Sequence, residues 1–185
     1  WELIKRGEKF AKDRAPVFRT IIQNDPRKAL ELAVDENWLA VLPEQISQHL
    51  ESWVSAYTDI KGVHICKDPE RPMGMIKRFA TLPNGQVIKT HMYGRRKYLK
   101  TTHGVSIWGV KMGEDAAISE NAYQIEKPDT NLNPEGMIVK FADMQLEIPT
   151  RKGFEIFQQR VLEAERRGSI TGHIRYPLIA SSTGS

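Results

Sequence analysis

The segment IKRFATLPNGQVIKTHMY, residues 76–93, carries the clearest fold signal in the chain. Two runs rich in β-branched and aromatic residues, 76–82 and 86–93, flank the turn sequence Pro83-Asn84-Gly85. Asn and Gly tolerate the positive φ angles that tight hairpin turns require. The segment therefore predicts two antiparallel strands joined by a short turn.

Further strands are predicted on the C-terminal side of this hairpin. Residues 105–112 form an apolar run that ends at the turn sequence Gly113-Glu114-Asp115. A short strand is predicted at 122–125, and the residues 128–136, rich in Pro, Asn and Asp, predict a loop. Residues 144–148 alternate apolar and polar, which is typical of a strand with one buried and one solvated face. The middle of the chain thus predicts an antiparallel sheet or small barrel.

The N-terminal residues 1–50 predict a small helical bundle. A first helix is expected to end near Arg14, and Pro16 is expected to start a second one. Asp25-Pro26 favours another helix start, because Asp accepts from free amide groups and Pro fits the first helical position. A further helix is predicted to begin at Leu42-Pro43-Glu44.

The C-terminal part predicts an amphipathic helix at about 153–167, since Phe154, Phe157, Val161 and Ala164 share one face. A last strand is expected within 171–179. The predicted fold class is α+β, with N-terminal helices, a central sheet or barrel and the C-terminal helix. The expected organisation is a helical subdomain at 1–50, a β domain with its helix at 51–179, and a linker-like tail at 180–185. This tail, and a start at Trp1 rather than Met, favour a piece of a longer protein.

Composition places the chain among soluble globular proteins. It has 185 residues, 40% of them hydrophobic, and its 27 basic and 23 acidic residues give a net charge of +4. This mild basic bias permits nucleic-acid binding but does not indicate it. No apolar run approaches the roughly 18 residues of a membrane helix, so we expect no membrane span.

Catalytic motifs are missing from the sequence. It contains no His-Glu-x-x-His pair, no Gly-x-Ser-x-Gly element and no phosphate-binding Gly-x-x-x-x-Gly-Lys loop. The sequence therefore predicts no catalytic residue and no enzyme activity within this chain, although a site assembled from loops around His91 and His103 stays an alternative.

The single cysteine, Cys66, excludes an internal disulfide and an all-cysteine zinc site. On a strand, His64 and Cys66 would point to the same face and could share a metal ion, with His91 or His103 as a third ligand. A second hypothesis uses the thiolate alone, as a ligand that fills the open position of a partner protein's zinc. The plainer alternative is a small buried Cys next to an unrelated His.

The densest basic run predicts a binding surface. It spans residues 93–100 and contains two tyrosines among four cations, and its binding candidates are Tyr93, Arg95, Arg96, Lys97 and Lys100. Interleaved aromatics and cations can stack on bases and neutralise phosphates. Two alternatives are a solvated hairpin end, and arginines that pair with acids of a partner domain through forked hydrogen bonds.

Three tryptophans, Trp38, Trp53 and Trp108, are expected to anchor the core or an interface. Trp108 is also a candidate binding residue. A platform for sugars would require these rings to be exposed.

Several segments within residues 20–125 together resemble a region found near the N-termini of large secreted bacterial multidomain proteins. The matching segments are Asp25–Ala33, Leu42-Pro43, Trp53-Val54-Ser55, Met92–Arg96, His103–Val110 and Ala116–Ile118. In some of these proteins the region precedes a zinc metallopeptidase domain or adhesive β-modules.

The resemblance implies a pro-region or accessory role and export from the cell. Its implied partners are a downstream peptidase or β-modules of the same precursor, with zinc in that downstream domain and no cofactor in this chain. We therefore expect a non-catalytic pro-region that inhibits a peptidase or aids its folding. An extracellular module that binds glycans or proteins is the alternative. A nucleic-acid-binding domain ranks third, because acidic residues are numerous.

Overall fold

The computed structural model of the chain describes residues 1–66, 74–101, 104–126, 136–141 and 144–167. The helices in these ranges are α1 (Glu2–Asn24), α2 (Pro26–Leu32), α3 (Glu36–Val41), α4 (Glu44–Ser47) and α5 (Arg151–Arg167). The strands are β1 (Ser52–Thr58), β2 (Ile60–Ile65), β3 (Met75–Thr81), β4 (Val87–Met92), β5 (Val105–Met112), β6 (Asp115–Ile118), β7 (Tyr123–Glu126), β8 (Met137–Phe141) and β9 (Met144–Ile148). The predicted α+β class is confirmed.

Strands β1 to β6 form one sheet in the order β1-β5-β6-β4-β3-β2, and β7-β8-β9 form a second one. The edge strands β1 and β2 are joined by Asp59 alone, so the sheet curls until its two edges meet at this residue. Asp59 Oδ1 accepts from the Gly104 amide at 2.5 Å, and Thr58 Oγ1 donates to the Thr81 carbonyl at 2.7 Å. Within the described ranges the sheet does not close into a barrel. Of the two predicted arrangements, the open sheet is therefore the one observed.

One strand pair differs from the antiparallel sheet that the sequence predicts. β4 and β6 run parallel, with Lys89 opposite Asp115 and Met92 opposite Ile118. Parallel neighbours need a crossover connection, which residues 93–114 provide by way of β5. Asp115 therefore begins a strand rather than closing the turn after β5, and all four residues of β6 are buried.

Helix α1 is continuous, and the prediction of a break between Arg14 and Pro16 is wrong. Pro16 lies inside the helix, where it removes one backbone hydrogen bond. The helix continues because Phe18 and Ile22, on the following two turns, are buried against the sheet, and this burial outweighs the lost bond. The predicted cap at Asp25 is confirmed, since its side chain accepts from the Lys28 amide at 3.0 Å.

The core has two parts. The larger part fills the inner side of the curled sheet and is closed by the second sheet and α5, through Tyr123, Phe141, Phe154 and Phe157 among others. The smaller part lies on the outer side, where α1 and α2 pack on β5 and β6. Helices α1 and α2 contact the sheet mainly at β6 and β5, and α2 also contacts β4. This arrangement positions the surfaces considered below.

The remaining sequence predictions fall partly outside the described residues. The predicted helix at 153–167 begins two residues earlier, at Arg151. The predicted strand within 171–179, the tail at 180–185 and nearly all of the predicted loop at 128–136 lie outside the described ranges. Among the residues that the structure describes, no helix has the length and apolar character of a membrane span.

Candidate functional site

The Tyr93-Gly94-Arg95-Arg96 element forms an internal ionic latch. Arg96 is 2% exposed, and it donates from Nε to the Glu120 carbonyl at 3.0 Å and from one Nη to the Ser106 carbonyl at 3.0 Å. The guanidinium groups of Arg95 and Arg96 both donate to the Glu165 carboxylate on α5. The latch therefore ties the turn after β4 to the C-terminal half of α5.

Gly94 and the charge of Arg96 fit this structural role. Gly94 has a φ of +57°, and a Cβ at this position would overlap the Glu120 carboxylate. Burial lowers the pKa of Arg96 to about 10, against the opposing effect of Glu165, so the side chain stays protonated at neutral pH. The acid that pairs with the two arginines thus belongs to this chain rather than to a partner domain.

The other residues of the predicted basic surface differ in their exposure to solvent. Lys97 and Lys100 are exposed, and Tyr98 is 75% exposed with Lys97 and Arg78 near its ring. Tyr93 is half-buried. The lysines remain available to solvent, whereas the two arginines are held by Glu165.

The structure brings His64 and Cys66 together at one edge of the sheet. His64 Nδ1 lies 3.1 Å from Cys66 Sγ, and both residues are exposed, which excludes the buried Cys of the plainer alternative. In the described part of the chain no group of three or more His, Cys, Asp or Glu residues could hold a metal ion. His91 contacts Asp115 instead, and His103 lies outside the described residues.

His64 and Cys66 lie on what we term the β2–β3 ribbon, residues 61–66 and 74–78. β2 is an edge strand that pairs only with β3 among the described strands. Residues 61–64 are exposed along the strand, so both faces of β2 meet solvent. Val63 and Ile76 are about half exposed, at 49% and 53%. The ribbon therefore presents an open edge, apolar side chains and a thiol.

A groove with an aromatic wall lies at the opposite edge of the sheet. The indole rings of Trp53 on β1 and Trp108 on β5 stack with centroids 5.1 Å apart and an angle of 12° between their planes. Their groove has a volume of about 300 Å³. Its polar lining comes from α3 and the second sheet, through Glu36, Gln124, Lys140 and Gln145. We call this the tryptophan groove.

Buried hydrogen bonds fix the wall of the tryptophan groove. Glu51 is 2% exposed and accepts from the Arg14 guanidinium and, at 2.8 Å, from the Val34 amide. The Val34 carbonyl in turn accepts from Trp53 Nε1 at 2.8 Å. The Asp35 carboxylate then caps α3 by accepting from the Asn37 amide at 2.8 Å. This chain of contacts orients the Trp53 ring and places Glu36 at the rim.

An ion-pair bridge crosses the rim of the groove. Lys140 Nζ lies 2.7 Å from Glu126 Oε1 and 3.1 Å from Glu36 Oε2. The hydrogen bond to Glu126 and the pairing with Glu36 raise the pKa of Lys140, so it remains protonated. The bridge therefore supplies one donor and two acceptor groups next to the indole pair.

A polar cluster around Asp115 lies on the outer side of β4 and β6. Asp115 is 2% exposed and accepts from Arg19 Nε at 2.5 Å, Gln23 Nε2 at 3.0 Å and His91 Nε2 at 2.8 Å. Burial lowers the pKa of His91 despite the bond to Asp115. Burial alone would raise the pKa of Asp115, but these hydrogen bonds hold it below its usual value.

The Asp115 cluster does not form a nucleophilic triad. The described hydrogen bonds join His91 to Asp115 and to no Ser, Thr or Cys side chain. Arg19 and Gln23 on α1 and His91 on β4 all donate to the Asp115 carboxylate, so the cluster attaches α1 to the sheet.

The polar side of the tryptophan groove has no local signal in the sequence. Glu36 and Lys140 are 104 positions apart, and no local pattern joins them. Trp53 and Trp108 are adjacent because Ser55 pairs with Trp108 in the β1–β5 register, which a sequence without strand pairing does not show.

Comparisons with known proteins give no identity. Neither a scan against protein-family models, nor a search of curated proteins, nor a search of solved structures finds a match to this chain. The resemblance to secreted pro-regions therefore stays a prediction.

Proposed function

We propose that the chain is a non-catalytic binding domain that holds a neutral sugar ring of a glycan in the tryptophan groove. The stacked pair Trp53–Trp108 is the observation that carries this proposal. Indole faces are flat and apolar, and they complement the C–H face of a pyranose ring. Small-ligand sites combine such walls with a few placed polar groups.

The size and lining of the groove support this ligand class. A volume of about 300 Å³ lies at the lower end of small-molecule sites, which suits one or two sugar rings. Gln124 and Gln145 offer amide groups that both donate and accept, while Glu36 accepts and Lys140 donates. This mixture matches sugar hydroxyls, which donate and accept at the same time.

Glycan-array screening followed by calorimetry tests the proposal. We expect the wild-type chain to bind at least one neutral oligosaccharide. Trp108→Ala should weaken this binding about tenfold through the lost ring contact. Trp38→Ala is the matched control, because Trp38 is 67% exposed on α3 and does not line the groove.

Two outcomes contradict the proposal. One is a silent array for the folded wild-type chain. The other is a loss of binding in Trp38→Ala as large as that in Trp108→Ala. Lys140→Gln provides a further check, since it removes the rim donor and leaves both indoles in place.

The β2–β3 ribbon favours a second candidate function, that of a pro-region that docks on a zinc peptidase. An exposed thiol beside an open strand edge is suited to enter a cleft. There the Cys66 thiolate would occupy the open position of the partner's zinc and displace the water that attacks substrate. A secreted location and a shared precursor belong to this candidate.

Peptide cleavage by the zinc peptidase of the same precursor tests the second candidate. Addition of the chain should inhibit cleavage, and Cys66→Ser should abolish most of the inhibition while Val63→Ser retains it. If Val63→Ser lost the inhibition and Cys66→Ser retained it, the inhibition would depend on apolar contact rather than on the thiolate. Full cleavage at saturating chain would contradict docking altogether.

A further inference from the structure

The outer side of strands β2, β3 and β4 carries positive charge without acidic residues. These strands contain Lys61, Lys77, Arg78 and Lys89, and none of their residues is Asp or Glu. Arg78 alternates with Lys77 and Phe79 along β3, so its side chain lies on the opposite face, where Nε donates to the Leu99 carbonyl at 3.1 Å. The three lysines remain as a like-charged group.

The strand register places the lysines around one aromatic ring. Lys61 pairs with Phe79, and Phe79 pairs with Lys89, so the three residues form one row across the sheet. Lys77 precedes Phe79 by two positions and thus lies on the same face. Strand spacing sets Lys61 and Lys89 about 10 Å apart with Phe79 between them, and Lys77 about 7 Å along β3. We call this group the lysine–phenylalanine face.

Burial confirms that these side chains point outward. Ile60, Ala80 and Ile88 alternate with them along the strands and are 0–2% exposed in the inner core. Lys61 is exposed, while Lys77, Phe79 and Lys89 are partly exposed. Helices α1 and α2 make their main sheet contacts with β6 and β5, beside this face, and α2 also contacts β4.

A cleft of about 320 Å³ runs between α1 and the lysine–phenylalanine face. Phe79 and Lys89 line its floor, and Arg19, with a side chain 48% exposed, lines the α1 wall. The acids at its margin are Glu114 and Asp115, and Asp115 already accepts from Arg19, Gln23 and His91. The cleft thus joins an aromatic ring to a cationic surface.

We infer that the lysine–phenylalanine face binds single-stranded nucleic acid, with a base stacked on Phe79 and phosphates near Lys61, Lys77 and Lys89. Single-strand sites combine a cationic track along the backbone with aromatic rings that stack on bases. The lysines on β2, β3 and β4, three strands without acidic residues, complement the negative charge of phosphates. The Phe79 ring between them favours a ligand with unpaired bases. This face differs from the basic run 93–100, whose two arginines are held by Glu165.

Fluorescence anisotropy with a labelled oligo(dT) of about 12 nucleotides tests this inference on the full chain at low salt. We expect binding that weakens with salt, with a logarithmic slope near −2 for about three phosphate contacts. Phe79→Ala should weaken binding about 5- to 150-fold, and Phe79→Tyr should retain it. Lys61→Gln and Lys89→Gln should each reduce the slope by about 0.7.

Lys152→Gln is the matched control, because it removes the same charge from an exposed position on α5. The unfolding midpoint of each variant in urea verifies that the fold is retained. An absence of binding at low salt overturns the inference. The inference is also overturned if Phe79→Ala binds the oligonucleotide as tightly as the wild type and heparin competes equally well with the oligonucleotide for both proteins. That result would assign the face to sulfated polymers, which bind without base stacking. Sugar binding in the tryptophan groove is measured separately and does not affect this outcome.

Discussion

Replacement of Glu165 by Gln should destabilise the fold strongly, because it leaves a buried guanidinium without its counter-charge. Arg96 is 2% exposed, and its remaining partners are the carbonyls of Ser106 and Glu120. Removing one member of a buried ion pair costs about 3–5 kcal/mol. The two carbonyl bonds persist, so we expect a loss near the lower end, about 3 kcal/mol, in the free energy of unfolding.

Urea denaturation followed by tryptophan fluorescence measures this loss. Glu155→Gln is the control on the same helix, since Glu155 is 59% exposed and lies 3.6 Å from the 84% exposed Arg151. Exposed pairs of this kind are worth about 0.3–0.5 kcal/mol. At about 2–4 °C per kcal/mol, Glu165→Gln should lower the melting temperature by roughly 10 °C. Equal losses in the two variants would refute the view that the latch is a buried, structure-determining contact.

Three further predictions concern the sheet and its surroundings. Gly109→Ala should cost about 1–3 kcal/mol, measured by urea denaturation, because a Cβ there would overlap the Ala117 carbonyl on β6; a wild-type midpoint would contradict this close approach. Ile107→Ala should cost about 2–5 kcal/mol in the same assay, because Ile107 is fully buried in the inner core; a loss below 1 kcal/mol would count against that packing. Stability should also fall on acidification. The pKa of His91 is lowered in the folded chain, so below about pH 6.5 the unfolded chain binds a proton that the folded chain does not. The pKa of Asp115 is also lowered in the folded chain, so the stability that its carboxylate supports is lost below about pH 4. The slope near pH 6 should flatten in His91→Gln, and an unchanged slope would contradict the assignment.

Local sequence signals predicted most of the strands and the C-terminal helix. The Asn84-Gly85 turn sets the β3–β4 hairpin by itself, and Gly85 has the expected positive φ of 85°. The break predicted near Pro16 was wrong because the rule for proline is local, whereas burial of Phe18 and Ile22 depends on sheet residues such as Val110 and Ala117, more than 80 positions further along the chain. The parallel β4–β6 pair was missed for the same reason, because a crossover sets it rather than a turn.

The candidate sites show a similar division. His64 and Cys66 are two positions apart on a strand, so their approach followed from the alternation of side chains. The basic run 93–100 was predicted as a surface because its sequence does not show that Glu165, 69 positions beyond Arg96, neutralises two of its cations. Part of the Lys61–Phe79–Lys89 row could be predicted from the sequence, because the Asn84-Gly85 turn sets Phe79 opposite Lys89.

The most direct test of the account is a two-dimensional NMR titration of the four indole N–H signals with the best oligosaccharide from the array. The chain has four tryptophans, of which Trp53 and Trp108 form the groove wall, while Trp1 and Trp38 are 85% and 67% exposed elsewhere. We predict saturable shifts for Trp53 and Trp108, with the signals of Trp1 and Trp38 unchanged. Shifts confined to Trp1 or Trp38, or no saturable shift at all, would contradict the tryptophan groove as the binding site.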